Sequence, residues 1–308
     1  MAKAAPRAIG DRMPDQCRRF DGAAQNLLEL FAMMFAEINH HSYAYRIHRQ
    51  QSGLPLLLLL HGFMGDQRVF DHLLDGLADF CNPVTIDLLG HGQSSKSDDP
   101  GDYREEQQVA DIRTFIRRLS TDMDVDDGRF LHGYSMGGRL ALKIALADPA
   151  LVGGLILEST NCGIPDERQR SRRRQTDEQR ARDITTDLDR FLTHWQQLPL
   201  FASPETNNKE QLHRKYRAIQ RGQSPEALAA SLRGFGTGSM RPCCDELPSL
   251  NRPVLLMAGT NDEKYRQINR RLEQRLPAAR FSTLKAGHRV HLDNPDKFIT
   301  EIKSFLLL

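Results

Sequence analysis

Apolar positions recur along the chain in two alternating rhythms. "YAYRIH" (43–48) alternates apolar and polar residues, "PLLLLL" (55–60) is continuously apolar, and "VFDHLLDGLAD" (69–79) spaces its apolar residues along one helical face. "NPVTID" (82–87) predicts a third strand, after which Val109, Ile112, Phe115, Ile116 and Leu119 form the stripe of another helix. "RFLHGY" (129–134), "LVGGLILES" (151–159), "RPVLLMAG" (252–259) and "ARFSTLKAG" (279–287) read as further strands, with "MGGRLALKIALAD" (136–148) as the helix after the first of them. Helices between continuously apolar strands predict a mostly parallel, doubly wound α/β sheet covered on both faces.

One interval breaks this rhythm. Between Ser159 and Arg252 there is no strand pattern, only helical stretches at 167–182, 185–194, 208–220 and 225–233. So long an interval between two strands of one sheet exceeds a crossover and predicts an inserted helical cap at about 160–250. The expected place for the cap is over the carboxyl ends of the strands, where ligands bind in such sheets. Residues 1–37 read as an extension ahead of an α/β domain spanning 38–308, and the apolar stretch at 23–38 has helical spacing. Glu29 inside that stretch and the lack of a small-residue cleavage motif argue against a signal peptide, and Met34 is an alternative start. No apolar run approaches the roughly 20 residues of a membrane span.

Composition narrows the function classes. A net charge of +2 is too small a surplus for a phosphate-seeking surface, which argues against a nucleic-acid partner. The five cysteines (Cys17, Cys81, Cys162, Cys243, Cys244) are odd in number and lack metal-ligand spacing, and the vicinal pair Cys243–Cys244 is a poor disulfide candidate. A reducing, cytoplasmic setting is the expectation. The oligomeric state is left open.

Candidate chemistry centres on "HGYSMGGRLAL" (132–142). Tyr134 ends a strand, Ser135 sits at the junction and a helix starts at Met136, the strand–turn–helix context of a nucleophile elbow. Gly133 and Gly137 flank the serine where side chains would collide, and the helix N-terminus points free N–H groups toward it. "LMAGTNDEKY" sets Asp262 just past one strand and "LKAGHRVH" sets His288 just past the next, so Ser135, Asp262 and His288 follow the chain order of such a triad. His291 and Glu263 compete for the base and orienter positions. The backbone N–H of Met136 and that of Phe63, in "HGFMGD" (61–66), are the candidate oxyanion donors. His61 and His91 read as turn-stabilising histidines outside the chemistry.

"GYSMGGRLAL", "LESTNCGIPDERQRSRRRQTDEQRA", "WQQLPLFAS", "GTNDEKY" and "AGHRVHLDNP" together resemble the 2-succinyl-6-hydroxy-2,4-cyclohexadiene-1-carboxylate synthases of menaquinone (vitamin K2) biosynthesis, from about Ile38 to the C-terminus. The resemblance implies an α/β-hydrolase fold carrying a lyase activity: removal of a ring proton beside the succinyl carbonyl and expulsion of pyruvate from 2-succinyl-5-enolpyruvyl-6-hydroxy-3-cyclohexene-1-carboxylate, with no metal or organic cofactor. It also implies a small tricarboxylate substrate. Arg173 in "RRQTD" and Arg221 in "AIQRGQSPEAL" match family arginines, with Arg170 on the same helical face as Arg173, and Tyr134 and Trp195 match positions lining the pocket. Trp195, the chain's only tryptophan, equally suits a core position. Neither residues 1–37 nor the Cys243–Cys244 pair has a counterpart or a derivable role. Fold and triad alone equally admit a serine esterase or a carbon–carbon bond hydrolase, and a non-catalytic ligand receptor would reuse the same cavity.

Overall fold

The computed structural model describes residues 32–125, 128–203 and 210–307. Its centre is an eight-stranded sheet: β1 (Met34–Ile38), β2 (His41–Ile47), β3 (Leu56–Leu60), β4 (Asn82–Ile86), β5 (Arg129–Tyr134), β6 (Gly154–Glu158), β7 (Val254–Gly259) and β8 (Ala279–Leu284). Its spatial order is β1-β2-β4-β3-β5-β6-β7-β8; the β1–β2 and β2–β4 pairings are antiparallel and every other pairing is parallel. The continuously apolar strands β3, β6 and β7 are buried along their whole length, as strands covered on both faces must be.

The order of strands fixes where a site can form. After β3 the chain goes to β4 on one side, then returns as β5 on the other, so a crevice opens between the carboxyl ends of β3 and β5. Register pairs Leu60 with Gly133, Tyr134 with Glu158 and Glu158 with Met257, bringing the loops after β3, β5, β6 and β7 to one edge.

Ten α-helices complete the described residues: α1 (Leu74–Ala78), α2 (Glu105–Met123), α3 (Met136–Ala147), α4 (Glu167–Thr186), α5 (Leu188–Gln196), α6 (Glu210–Arg221), α7 (Pro225–Phe235), α8 (Glu263–Glu273), α9 (Val290–Asp293) and α10 (Pro295–Leu306). Helices α4 to α7 form the inserted cap between β6 and β7. Only Asp177, Ala181 and Ile184 of the arginine-rich α4 are buried, a stripe at spacings of four and three that packs on Leu228, Ala229 and Leu232 of α7.

Three expectations are corrected. Residues 34–38, read as the end of a helix ahead of the domain, are strand β1: Ala36 and Ile38 are buried while Phe35 and Glu37 are exposed, a period of two. Residues 1–31 lie outside the described residues, and the helix expected from 23 onward is described only in its last part, where it is a strand. The helix at 69–79 is a 3₁₀ turn (Gln67–Leu73) capped by the Asp66 side chain and followed by the short α1. Finally, Cys162 and Cys244 form a disulfide that joins the entrance and exit of the cap, leaving Cys243 a buried free thiol.

Candidate active site

Ser135 sits between β5 and α3 with a backbone φ of 52°, a left-handed conformation costly for a non-glycine residue. Its N–H donates to the Glu158 carbonyl at 2.9 Å, and its own carbonyl accepts from the Thr160 hydroxyl at 2.7 Å. These bonds hold the strained turn. The flanking glycines are required: a Cβ on Gly133 would lie 2.5 Å from the Gly137 carbonyl oxygen, and one on Gly137 would lie 2.3 Å from that of Leu60.

His288 follows β8 and Asp262 follows β7. The His288 Nδ1–H donates to the Asp262 Oδ2 at 2.6 Å, and the Ser135 hydroxyl reaches the His288 Nε2 at 3.3 Å. Asp262 also caps α8, its Oδ1 accepting from the Tyr265 N–H at 3.2 Å, so helix-capping and histidine-holding use different oxygens of one carboxylate. Burial pushes the His288 imidazole below its ordinary pKa against the opposing hydrogen bond and charge of Asp262. Glu263 points elsewhere and pairs with Arg266. His291, the competing histidine, is fully buried and bonds to Glu158, which also accepts from His132.

One cavity is lined by Phe63, Tyr134, Ser135, Met136, Arg173, Trp195 and His288, which brings together seven residues singled out in the sequence. Met136 opens α3, and neither its N–H nor that of Phe63 donates to another backbone group among the described residues. Trp195 stacks on Phe191 and carries the Arg180 guanidinium 5.1 Å from its ring centroid, so it serves the cap core and the cavity together. His61 and His91 have local roles, the first accepting from the Leu88 N–H and the second bonding to the Leu89 carbonyl.

Two arginines are not brought there. Arg221 is exposed and paired with Asp189 on the cap surface; its predecessor Gln220 faces the cavity instead. Arg170 turns back to the carbonyls of Ile164 and Pro165 at the start of α4.

The sequence reading missed Arg139, Arg180, Lys264 and Arg289, all of which line the cavity. Helical spacing could have found two of them: Arg139 is one turn after Ser135 in α3, and Arg180 is two turns after Arg173 in α4. Asp177 lies between Arg173 and Arg180 and neutralises part of their charge at 2.8 and 3.2 Å. Arg139, Lys264 and Arg289 have no carboxylate ion pair among the described residues. Burial, then the nearby Arg173, holds Arg139 down to about 10, and burial likewise lowers Lys264. Such unneutralised cations suit an anionic ligand. Among the described residues no group of three or more His, Cys, Asp and Glu side chains is arranged to hold a metal ion, and no helix is long and apolar enough to cross a membrane.

Residues 57–301 match the alpha/beta hydrolase family. A protein of Bacillus subtilis (strain 168), provisionally named 2-succinyl-6-hydroxy-2,4-cyclohexadiene-1-carboxylate synthase, is 34% identical over 81% of this chain and 89% of its own length. The 2-succinyl-6-hydroxy-2,4-cyclohexadiene-1-carboxylate synthase of Shigella flexneri serotype 5b (strain 8401) is 29% identical over 82% of this chain and 94% of its own. The solved structure of MenH from S. aureus superposes with a TM-score of 0.78 at 32% identity, covering 85% of this chain and 97% of that one. The chain belongs to the alpha/beta hydrolase family and, within it, to the 2-succinyl-6-hydroxy-2,4-cyclohexadiene-1-carboxylate synthases.

Proposed function

We propose that this protein is a pyruvate-eliminating lyase of menaquinone biosynthesis that converts 2-succinyl-5-enolpyruvyl-6-hydroxy-3-cyclohexene-1-carboxylate to 2-succinyl-6-hydroxy-2,4-cyclohexadiene-1-carboxylate. The observation that carries this reading is the set of cations Arg139, Arg173, Arg180, Lys264 and Arg289 around the same cavity as Ser135 and His288. A neutral ester gives such groups no partner. A tricarboxylate does.

The roles follow from the bonds that change. The ring proton beside the succinyl carbonyl leaves to the base formed by Ser135 and His288, with Asp262 fixing the imidazole and stabilising its charged form. Electrons from that C–H bond form the enolate, whose oxygen the N–H groups of Phe63 and Met136 stabilise. Collapse of the enolate shifts the ring double bond and breaks the bond to the enolpyruvyl oxygen. Pyruvate departs as its enolate, takes up a proton and becomes the keto acid. The sequence is redox-neutral and consumes no water, so it asks for no cofactor. Tyr134 and Trp195 shape the pocket, and Arg173 with Arg139 and Arg180 orients the carboxylates, each charge-assisted bond contributing ~1.5–3 kcal/mol. A cytoplasmic setting is part of this reading, and the Cys162–Cys244 disulfide is the observation that stands against it.

The test is pyruvate release from the enolpyruvyl substrate by the purified full chain, followed with a coupled dehydrogenase beside a nitrophenyl ester. Catalytic pyruvate release with little ester cleavage is expected. Ester turnover without pyruvate would move the protein to the esterases, and stoichiometric binding without turnover would make it a receptor.

A further inference from the structure

Arg289 is held unlike the other cations of the cavity. Its guanidinium lies 4.2 Å from the ring centroid of Phe201 and 4.2 Å from that of Tyr216, so aromatic faces cover it twice. Only 7% of the residue is exposed, its Nε has no hydrogen-bond partner, and no ion pair among the described residues neutralises it. A planar cation covered on its faces presents its N–H edge; the Tyr134 and Tyr216 hydroxyls share that edge, the Nε–H has no partner, and a carboxylate binds along it. Gln220 lines the same cavity, one helical turn after Tyr216 and so on the same face of α6, and is 1% exposed with its Oε1 also unpartnered. Its amide nitrogen supplies an N–H donor.

Aromatic rings stand between this corner and the arginines of the cap: Arg180 lies over Trp195, whose ring is 5.6 Å from that of Phe201, and Arg289 lies over Phe201 and Tyr216. Arg139, Arg180 and Lys264 each lie in the field of Arg173. The groups on which Arg289 acts are Tyr134, Tyr216 and His288. Glu158, the buried carboxylate acting on the same two tyrosines, is committed to His132 and His291.

We propose that Arg289 and Gln220 form a second carboxylate subsite, distinct from the one made by Arg139, Arg173 and Arg180, so that the substrate is gripped by two of its anionic groups in two places. The proposal rests on the tricarboxylate reading above and adds to it a specificity-determining arginine next to His288.

The test uses the full chain carrying Ser135→Ala, which holds the enolpyruvyl tricarboxylate without consuming it, and calorimetric measurement of its Kd. Adding Arg289→Met is expected to weaken binding at least tenfold and Gln220→Leu several-fold, with Arg289→Lys in between. Arg289→Met and Arg139→Met should multiply, as independent subsites do. An affinity for Arg289→Met within about twofold of the parent overturns the subsite. So does a lowered unfolding midpoint with unchanged affinity of the folded protein, the signature of an arginine that only packs. If Arg289→Met does not fold, Arg289→Lys and Gln220→Leu decide, and unchanged affinity in both overturns it. Failure of Ser135→Ala itself to bind the tricarboxylate strikes the proposed function instead. In that case succinate is the probe: an affinity lowered by Arg289→Met upholds the subsite, and one left unchanged overturns it.

Discussion

The Ser135 hydroxyl and the His288 Nε2 stand 3.3 Å apart, although 153 positions separate the two residues in the chain. The sheet makes this contact, because β5 and β8 end at the same edge. On the proposed reading, Ser135→Ala and His288→Ala each lower the rate of pyruvate release by about 10³-fold or more, and Asp262→Asn does so by a comparable factor through the wrong imidazole tautomer. Stopped assays on the three purified variants measure this. A near wild-type rate in any one of them removes that residue from the chemistry.

The same imidazole sets a pH limit. Burial lowers its pKa, and the base works only when neutral, so activity is complete above the ordinary histidine value and declines as pH falls through the lowered one. The acid limb of kcat/KM should therefore have its midpoint below about 6.5. A midpoint above that value would mean that Asp262 outweighs burial.

Gly137 tests the elbow without touching a reacting group. A Cβ there would lie 2.3 Å from the Leu60 carbonyl oxygen and 2.6 Å from that of His61, both rigid backbone atoms. Gly137→Ala must therefore shift α3 or β3. It should cost ~1–3 kcal/mol of stability from overpacking and, through displacement of Ser135 and the Met136 N–H, roughly 10²-fold in kcat. Denaturant titration and steady-state kinetics on one preparation give both numbers, and an unchanged kcat would show that the turn tolerates the shift.

Arg139 and Arg221 are a matched contrast. Arg139 is buried, faces the cavity and bonds to Thr237, whereas Arg221 is exposed and paired with Asp189. Arg139→Met should lower kcat/KM for the tricarboxylate at least tenfold, while Arg221→Ala should leave it within about twofold and change stability by under ~1 kcal/mol. The reverse ranking, in the pyruvate assay, would show that the cap closes differently around its ligand.

These contrasts also mark how far the sequence could be read. The alternation of strands and helices, the long helical interval and the strand ends that carry Ser135, Asp262 and His288 were legible, because continuous apolar runs and a strand–turn–helix serine impose their geometry locally. Arg221 was misread because a one-residue difference on a helix turns a side chain by about 100°, which put Gln220 inside and Arg221 outside. Arg289 was invisible for another reason. What makes it a cavity residue is stacking between Phe201 and Tyr216, from two separate cap segments, and no periodicity links those three positions. The strand at Met34–Ile38 was lost within a longer apolar stretch whose last five residues follow a two-residue rhythm.

Buried histidines away from the chemistry govern acid stability. Burial lowers His48 and His72 to about 4 and His91 to about 3. His61 and His132 are lowered in the same direction and for the same leading cause. Each is neutral in the folded protein and takes up a proton in the unfolded chain near pH 6.5, so acid favours unfolding. No stability is lost above pH 6.5; the loss accumulates as pH falls from there and is complete once the folded-state pKa is passed, near 4 for His48 and His72. Each histidine adds a slope of up to about 1.4 kcal/mol per pH unit within that window. Denaturant titrations between pH 7.5 and 5 should therefore show a steep decline, and His72→Gln should flatten it by about one proton's worth. His72 is the informative choice because its ring bonds to the His291 carbonyl, not to a charged partner that would confound the substitution. A pH-independent stability across this range would mean that these histidines keep their ordinary pKa in the folded protein.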